Sequence, residues 1–322
     1  MTNHQPILVI GAGSIGERHI RNLWSLGYSN IIVFRQRNLP FRDIANAHVE
    51  IITNWNDALA KKPLAAIVCT PTAQHLQQTL DCINNGTHVL VEKPLAHENI
   101  DATSIIEVIQ KNNVLVQVAY MMRYHPLLKQ VKTFVESKQY GNLVNIQTFW
   151  GEYLPAWHPW EDYRTSYAAQ KESGGGAALT LSHDIDVANW IAGTDVSRYA
   201  SFPNHHTALE VNTNAAFDLN IAYTNNVTAH VHVNYCQPIA QRWYKFIFDQ
   251  AVIDVDFFKN SLCISTKESV EEVVLPSFDR NDLFIAQAKD FFQRIGSENF
   301  TQFSIDQIQQ SASIIQMCTN EQ

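Results

Sequence analysis

The chain of 322 residues contains no apolar run of 18 residues, so no membrane-spanning helix is expected. Its cations are not clustered. Lys and Arg number 23 against 31 Asp and Glu, giving a formal charge of −8. No basic stretch offers the many phosphate contacts that nucleic acid requires, so that partner is not expected. The five cysteines, Cys69, Cys82, Cys236, Cys263 and Cys318, are odd in number and form no CxxC pair. This argues against a disulfide framework and for buried thiols in a reducing compartment. The opening MTNHQPILVIGAG lacks a basic n-region and a long apolar h-region. No secretory leader is therefore expected, and the cytoplasm is the expected location. Internal repeats and low-complexity segments are also lacking. His205-His206 and the pair His230 and His232 have no acid or cysteine at ligand spacing, so no metal is expected.

What is present is enough apolar sequence, 46% of residues, for one large core or two ordinary ones. The first third alternates short β-branched runs with helical spacing. ILVI (7–10), IIVF (31–34), AAIVC (65–69), HVLV (88–91) and VLVQVAY (114–120) read as strands. Helices are expected over 15–26, 73–84 and 98–111. This pattern predicts an α/β domain with a parallel, doubly wound sheet. A helix is expected over 126–138. From 210 to 265 the text reads as antiparallel strands. Val227, Ala229, Val231 and Val233 alternate there with Thr228, His230, His232 and Asn234, after a turn at Asn225-Asn226. Two helices, over 281–295 and 304–318, close the chain. Two domains are expected, 1–122 and an α+β domain over 123–322 whose open sheet is mainly antiparallel.

GAGSIG (11–16) is a G-x-G-x-x-G loop directly after a strand and opening a helix. Gly11 permits a tight turn, Gly13 lets the backbone approach a pyrophosphate, and Gly16 permits close helix–sheet packing. A dinucleotide is the expected ligand. The second strand ends FRQR, with Arg35 and Arg37 and no acid until Asp43. Arginines there pair with a 2′-phosphate, so NADP(H) is expected over NAD(H), unless both are solvated surface charges. VEKPL (91–95) places Lys93 at a strand's carboxyl end, where ligands of doubly wound sheets bind.

Taken in order, GAGSIG, CTPTAQH (69–75), VEKPL, YMMRYHP (120–126) and GGG…HDID resemble the Gfo/Idh/MocA family of NAD(P)-dependent oxidoreductases. The resemblance runs through essentially the whole chain. It implies a Rossmann domain followed by an α+β domain whose large open sheet often mediates homo-oligomers, dimers or tetramers. It also implies that Gly11, Gly13, Ser14 and Ile15 line the pyrophosphate. Thr70, Pro71 and His75 would border the cofactor, with Glu92, Lys93 and Arg123 near the nicotinamide. The implied catalytic pair is Lys93 and His183, acting as acid and base on a carbohydrate or sugar-nucleotide hydroxyl. Family members carry an acid about one turn before this histidine, and here those positions are Leu179 and Thr180. Asp184, Asp186, Glu152 and Asp162 are candidate replacements. The stretch YLPAWHPWEDYRTSYAAQKESGGG (153–176) resembles a subgroup signature. Within it Trp157, Tyr163 and Arg164, together with Asp186, are candidate substrate contacts. Two other functions remain open on the same fold: a non-catalytic NAD(P)-binding regulator and a redox-assisted glycosidase.

Overall fold

The computed structural model describes residues 5–36, 40–44 and 48–320. They form two compact units. One holds the described residues up to Ala119 together with Phe284–Ser313; the other holds Tyr120–Leu283 and the residues from Ile314 onward.

In the first unit the elements run β1 (Ile7–Ile10), α1 (Ser14–Ser25), β2 (Ile31–Phe34), β3 (Glu50–Ile52), α2 (Trp55–Ala60), β4 (Ala65–Val68), α3 (His75–Asn84), β5 (His88–Val91), α4 (Ala102–Asn112) and β6 (Val116–Val118). All six strands are parallel, in the order β3-β2-β1-β4-β5-β6. This is the doubly wound sheet that the repeated apolar runs predict. The order reverses between β1 and β4, and such a crevice is where ligands of these sheets bind. Helix α4 begins later than its periodicity suggests because Asp101 caps it, accepting from Thr103 N at 3.1 Å. β3 and α2, too short to show a period, were not expected from the sequence.

The chain returns to this sheet near its end. Phe291, fully buried on the late helix, packs in one cluster with Ile7, Val9, Leu90 and Leu115. Edge strand β6 is covered as well. Its Val116 and Val118 amides donate to Ser304 Oγ at 2.9 Å and Gln307 Oε1 at 3.2 Å. An open edge of the sheet is thereby paired.

The second unit contains α5 (Pro126–Ser137), β7 (Leu143–Tyr153), α6 (Ala177–Thr180), α7 (His183–Ala192), β8 (Val196–Asn204), β9 (Ala216–Tyr223), β10 (Thr228–Asn234), β11 (Cys236–Phe248), β12 (Val252–Asp256), β13 (Ser261–Ser265) and β14 (Val270–Val274). Helices α8 (Asn281–Arg294) and α9 (Phe300–Thr319) follow. The eight strands pair in the order β14-β13-β12-β11-β7-β10-β9-β8. The sheet is mainly antiparallel, as expected, but β7 and β10 run parallel. A parallel pair needs a crossover, and the long segment holding α6 and α7 supplies it. The alternation along β10 is real: Ala229, Val231 and Val233 are buried and face one side. Among the described residues no helix is long and apolar enough to cross a membrane.

His125, at the entry to α5, is 1% exposed. Its ring lies 5.1 Å from Phe257 and 4.7 Å from Phe278, and neither ring nitrogen has a hydrogen-bond partner. Burial, reinforced by the charge of Arg242, pushes the imidazole from 6.5 down to about 4. Between those values the unfolded chain binds a proton that the folded chain refuses. Stability therefore rises with pH through that window and is fully present above it. The full swing is about 3 kcal/mol, at about 1.4 kcal/mol per pKa unit. His125→Phe keeps the aromatic packing and is expected to flatten the melting-temperature profile from pH 4 to 6.5. Calorimetry on both proteins checks this; equal slopes would remove His125 from the acid response.

Candidate active site

The first glycine loop is built from three different constraints. Gly11 has φ +90°, and a Cβ there would sit 2.9 Å from the Cys69 carbonyl oxygen. At Gly16 a Cβ would sit 2.1 Å from the Gly11 carbonyl oxygen, so α1 can begin this close to β1 only without a side chain. Gly13 is different: a Cβ there would meet no protein atom within 4 Å. Protein packing gives no reason for that glycine, whereas close approach of a ligand does. Gly13 also caps α1 without a side-chain acceptor. The first-turn amides beginning at Ser14 and Ile15 therefore suit an anion. The residues present fit a dinucleotide pyrophosphate.

Glu17, in the first turn of α1, ties the loop after β2 to this helix. Its carboxylate accepts the backbone N–H of Arg42 at 3.0 Å and of Asp43 at 2.8 Å. Asp43 in turn pairs with Arg21 at 3.0 Å. Arg35 is 8% exposed and lies 4.3 Å from the Phe41 ring centroid, so it is not a freely solvated charge. Arg37 lies outside the described residues.

The ends of β4 and β5 are braced by two buried histidines. His75 Nδ1 lies 2.8 Å from the Pro94 carbonyl and Nε2 2.7 Å from the Thr70 carbonyl. Burial is the largest influence on this ring and lowers its pKa. Both nitrogens face backbone, so His75 serves as a brace between the two strand ends. Pro71 begins the turn into α3, and the Thr70 hydroxyl donates to Gln78 at 2.7 Å. His19 Nε2 donates to Glu92 at 3.0 Å. Burial alone would raise the Glu92 carboxyl, but the hydrogen bond from His19 and the charges of His19 and Lys93 hold it below the usual range. Lys93 is half-buried, lies two residues past the end of β5, and is joined to Pro94 by a cis peptide bond.

The second glycine run has another design. Gly174 and Gly176 have φ +80° and +109°, and a Cβ at Gly175 would sit 2.3 Å from the Tyr167 carbonyl oxygen. Here the first amides of the helix are already taken. Ala177 N donates to the Asn214 carbonyl at 2.9 Å and Ala178 N to Asn214 Oδ1 at 3.0 Å. SGGG is therefore a close turn and not an anion loop. It leads through α6 to His183, the first residue of α7, which is 4% exposed with its ring 6.2 Å from that of Tyr120.

Two buried ion pairs hold α7. Arg123 donates to Asp186 from Nε at 3.0 Å and from Nη2 at 2.5 Å. Arg242 donates to Asp184 at 2.7 Å. Both aspartates are fully buried, and breaking such a pair from one side costs about 3–5 kcal/mol. Asp184 and Asp186 are thus anchors rather than open acids. Asp186, expected as a substrate contact, has both oxygens on Arg123. Arg123, expected beside the nicotinamide, spends that fork on Asp186. Leu179 and Thr180 are buried in α6, and Glu152 is half-buried on β7. Asp162 is paired with Arg164 at 2.8 Å.

That last pair belongs to the aromatic loop. Arg164 also reaches Glu210 at 3.4 Å, so its charge is shared by two acids. The Tyr163 hydroxyl accepts from Glu210 N at 3.1 Å. Trp157 stands edge-on to Tyr235 at 5.4 Å. The loop is packed in short turns, and Trp160 is its most exposed aromatic at 64%. Sequence reasoning passed over Arg242, Asn214 and Glu17, whose partners lie far off in sequence and leave no local pattern. No group of three or more His, Cys, Asp or Glu able to hold a metal occurs among the described residues.

The two kinds of glycine separate by experiment. Gly16→Ala places a Cβ against backbone and is expected to destabilise the fold by about 1–3 kcal/mol or more. Gly13→Ala is expected to change stability by no more than about 0.5 kcal/mol yet weaken dinucleotide binding at least about tenfold, or about 1.4 kcal/mol. Urea denaturation and NADPH fluorescence titration measure the two effects.

Two family models match the chain. The oxidoreductase family model with an NAD-binding Rossmann fold, Gfo/Idh/MocA, covers residues 6–120, and the family's C-terminal domain model covers 128–254. An uncharacterized oxidoreductase of Bacillus subtilis, YrbE, is 29% identical over 203 residues, 61% of this chain and 56% of the relative. Levoglucosan dehydrogenase of Pseudarthrobacter phenanthrenivorans is 26% identical over 204 residues, 58% of this chain and 50% of the relative. The chain thus matches about half the length of these curated relatives. GenD2 from gentamicin A biosynthesis, solved with NAD, shares the fold at a TM-score of 0.81 and 17% identity, covering 98% of this chain and 93% of that one. Glycine cradle, parallel sheet, mixed second sheet and matched models agree: the chain belongs to the Gfo/Idh/MocA oxidoreductase family.

Proposed function

We propose that this protein is an NAD(P)-dependent dehydrogenase or reductase acting on a hydroxyl or carbonyl of a carbohydrate or sugar nucleotide. The observation that carries this reading is the open position at Gly13 above an uncapped helix, which follows a strand of the same sheet as β5, with Lys93 two residues past the end of β5. Gly11, Gly13, Ser14 and Ile15 would hold the pyrophosphate, with Thr70 and Pro71 beside it. A bound nicotinamide supplies the hydride acceptor or donor. Lys93 and His183 handle the proton: in oxidation they take it from the substrate hydroxyl, and in reduction they return it to the carbonyl oxygen. Lysine and histidine suit this work near neutral pH. Glu92 and His75 support Lys93 from the adjacent backbone, and Trp157 and Tyr163 offer apolar faces to a sugar.

The lean toward NADP(H) rests on the end of β2. Arg35 follows that strand, and the nearest following acid, Asp43, is already bonded to Arg21. NADPH is expected to bind more tightly than NADH in a fluorescence titration; the reverse order would overturn the preference. The absence of an acid at Leu179 and Thr180 favours a second reading, a dinucleotide-binding regulator without turnover.

Turnover separates the two. With levoglucosan, myo-inositol or a sugar nucleotide as substrate, Lys93→Met and His183→Asn are each expected to lower kcat by about 10²–10⁴. The reduced-nicotinamide absorbance reports it, and a variant at full rate would take that residue out of the mechanism.

The open face of the second sheet supports self-association. His232, Phe149 and Trp243 stack across β10, β7 and β11 at 5.0 and 5.4 Å, all half-buried. A dimer or tetramer of the 36.6 kDa chain is expected by light scattering, and Phe149→Asp is expected to reduce its mass. A wild-type monomer at micromolar concentration would refute this.

A further inference from the structure

We propose that Arg242 is a positioning residue for His183, acting through Asp184. This rests on the reading of His183 as a proton-handling group. Successive helix residues point about 100° apart. Asp184 therefore points about 100° to one side of His183, and Asp186 about 60° to the other. Arg242 holds the first direction and Arg123 the second. The imidazole projects between two fixed spokes, so α7 cannot roll about its axis without breaking a buried ion pair.

Arg242 is itself held. It stands on β11 opposite Trp150 of β7 and is 8% exposed. Its Nη2 donates both to Asp184 at 2.7 Å and to the Tyr244 hydroxyl at 2.8 Å. The guanidinium lies 3.9 Å from the Trp150 ring centroid and 5.1 Å from that of Phe257. A planar cation stacked and bonded in this way has little freedom to follow a moving partner. The direction of Asp184, and of the residue before it, is thereby referred to the central strands of the sheet. The Tyr223 hydroxyl holds Asn189 later on the helix at 2.8 Å, while Arg242 is the tie at the residue next to His183.

A structural tie and a positioning tie are separated by removing the pair without loss of the fold. Replacing a whole buried ion pair by apolar side chains of similar size is often neutral for stability. The double variant Arg242→Met with Asp184→Leu meets that condition. Full-length wild type and variant are labelled with ¹³Cε1-histidine and saturated with NADPH or NADH, whichever binds more tightly. The His183 resonance is assigned by its loss in His183→Asn. In the double variant that resonance is expected to shift, split or broaden, while those of His230 and His232 stay in place. On the substrate that supports turnover, kcat is expected to fall about 10–100-fold, with cofactor affinity within about twofold of wild type. An unmoved His183 resonance together with an unchanged kcat in the folded variant would overturn the proposal. Should the double variant not fold, Asp184→Glu lengthens the tether by one methylene and keeps its charge, and the same two readouts decide. Full turnover by His183→Asn would instead defeat the functional reading. The two failures are thus distinguishable.

Discussion

The approach of α1 to β1 at Gly16 is the contact on which the first unit's chemistry depends. With 2.1 Å between an added Cβ and the Gly11 carbonyl oxygen, nothing larger than hydrogen fits. That closeness starts the helix at the sheet's carboxyl edge and leaves its first amides unbonded. Glu17 then draws the loop after β2 over the same turn, and His19 ties the next turn to Glu92. One helix thus links the first glycine loop, the loop after β2 and the turn that carries Lys93.

The chain uses glycine twice to opposite ends. At GAGSIG the backbone is cleared to expose amides. At SGGG it is cleared so that three pieces of backbone can pack, and Asn214 occupies the amides that would otherwise bind an anion. Neither role is readable from glycine content alone. What separates them is the acceptor supplied from 36 residues away, a partner that local sequence does not show.

Burial sorts the ionisable groups in a similar manner. Asp184 and Asp186 look from the sequence like acids available beside a histidine. Buried, each needs a full countercharge, and each receives an arginine. Both carboxylates beside His183 are thus committed to arginines. His125, which has no such partner, is instead kept neutral by its aromatic surroundings.

The local signals sufficed for much of the architecture. Short strands of consecutive buried apolar residues, a G-x-G-x-x-G loop between strand and helix, and strict alternation along β10 each reflect forces acting within a few residues of backbone. These determined the doubly wound sheet, the dinucleotide cradle and the mainly antiparallel second sheet. Tertiary structure decided what depends on distant partners. It returned residues 284–313 to the first unit, paired β7 with β10 in parallel, made His75 a brace, and brought Arg242 to Asp184 across 58 residues. A period of two or of 3.6 is written in neighbouring side chains, whereas the partner of a buried charge is chosen by the fold that buries it.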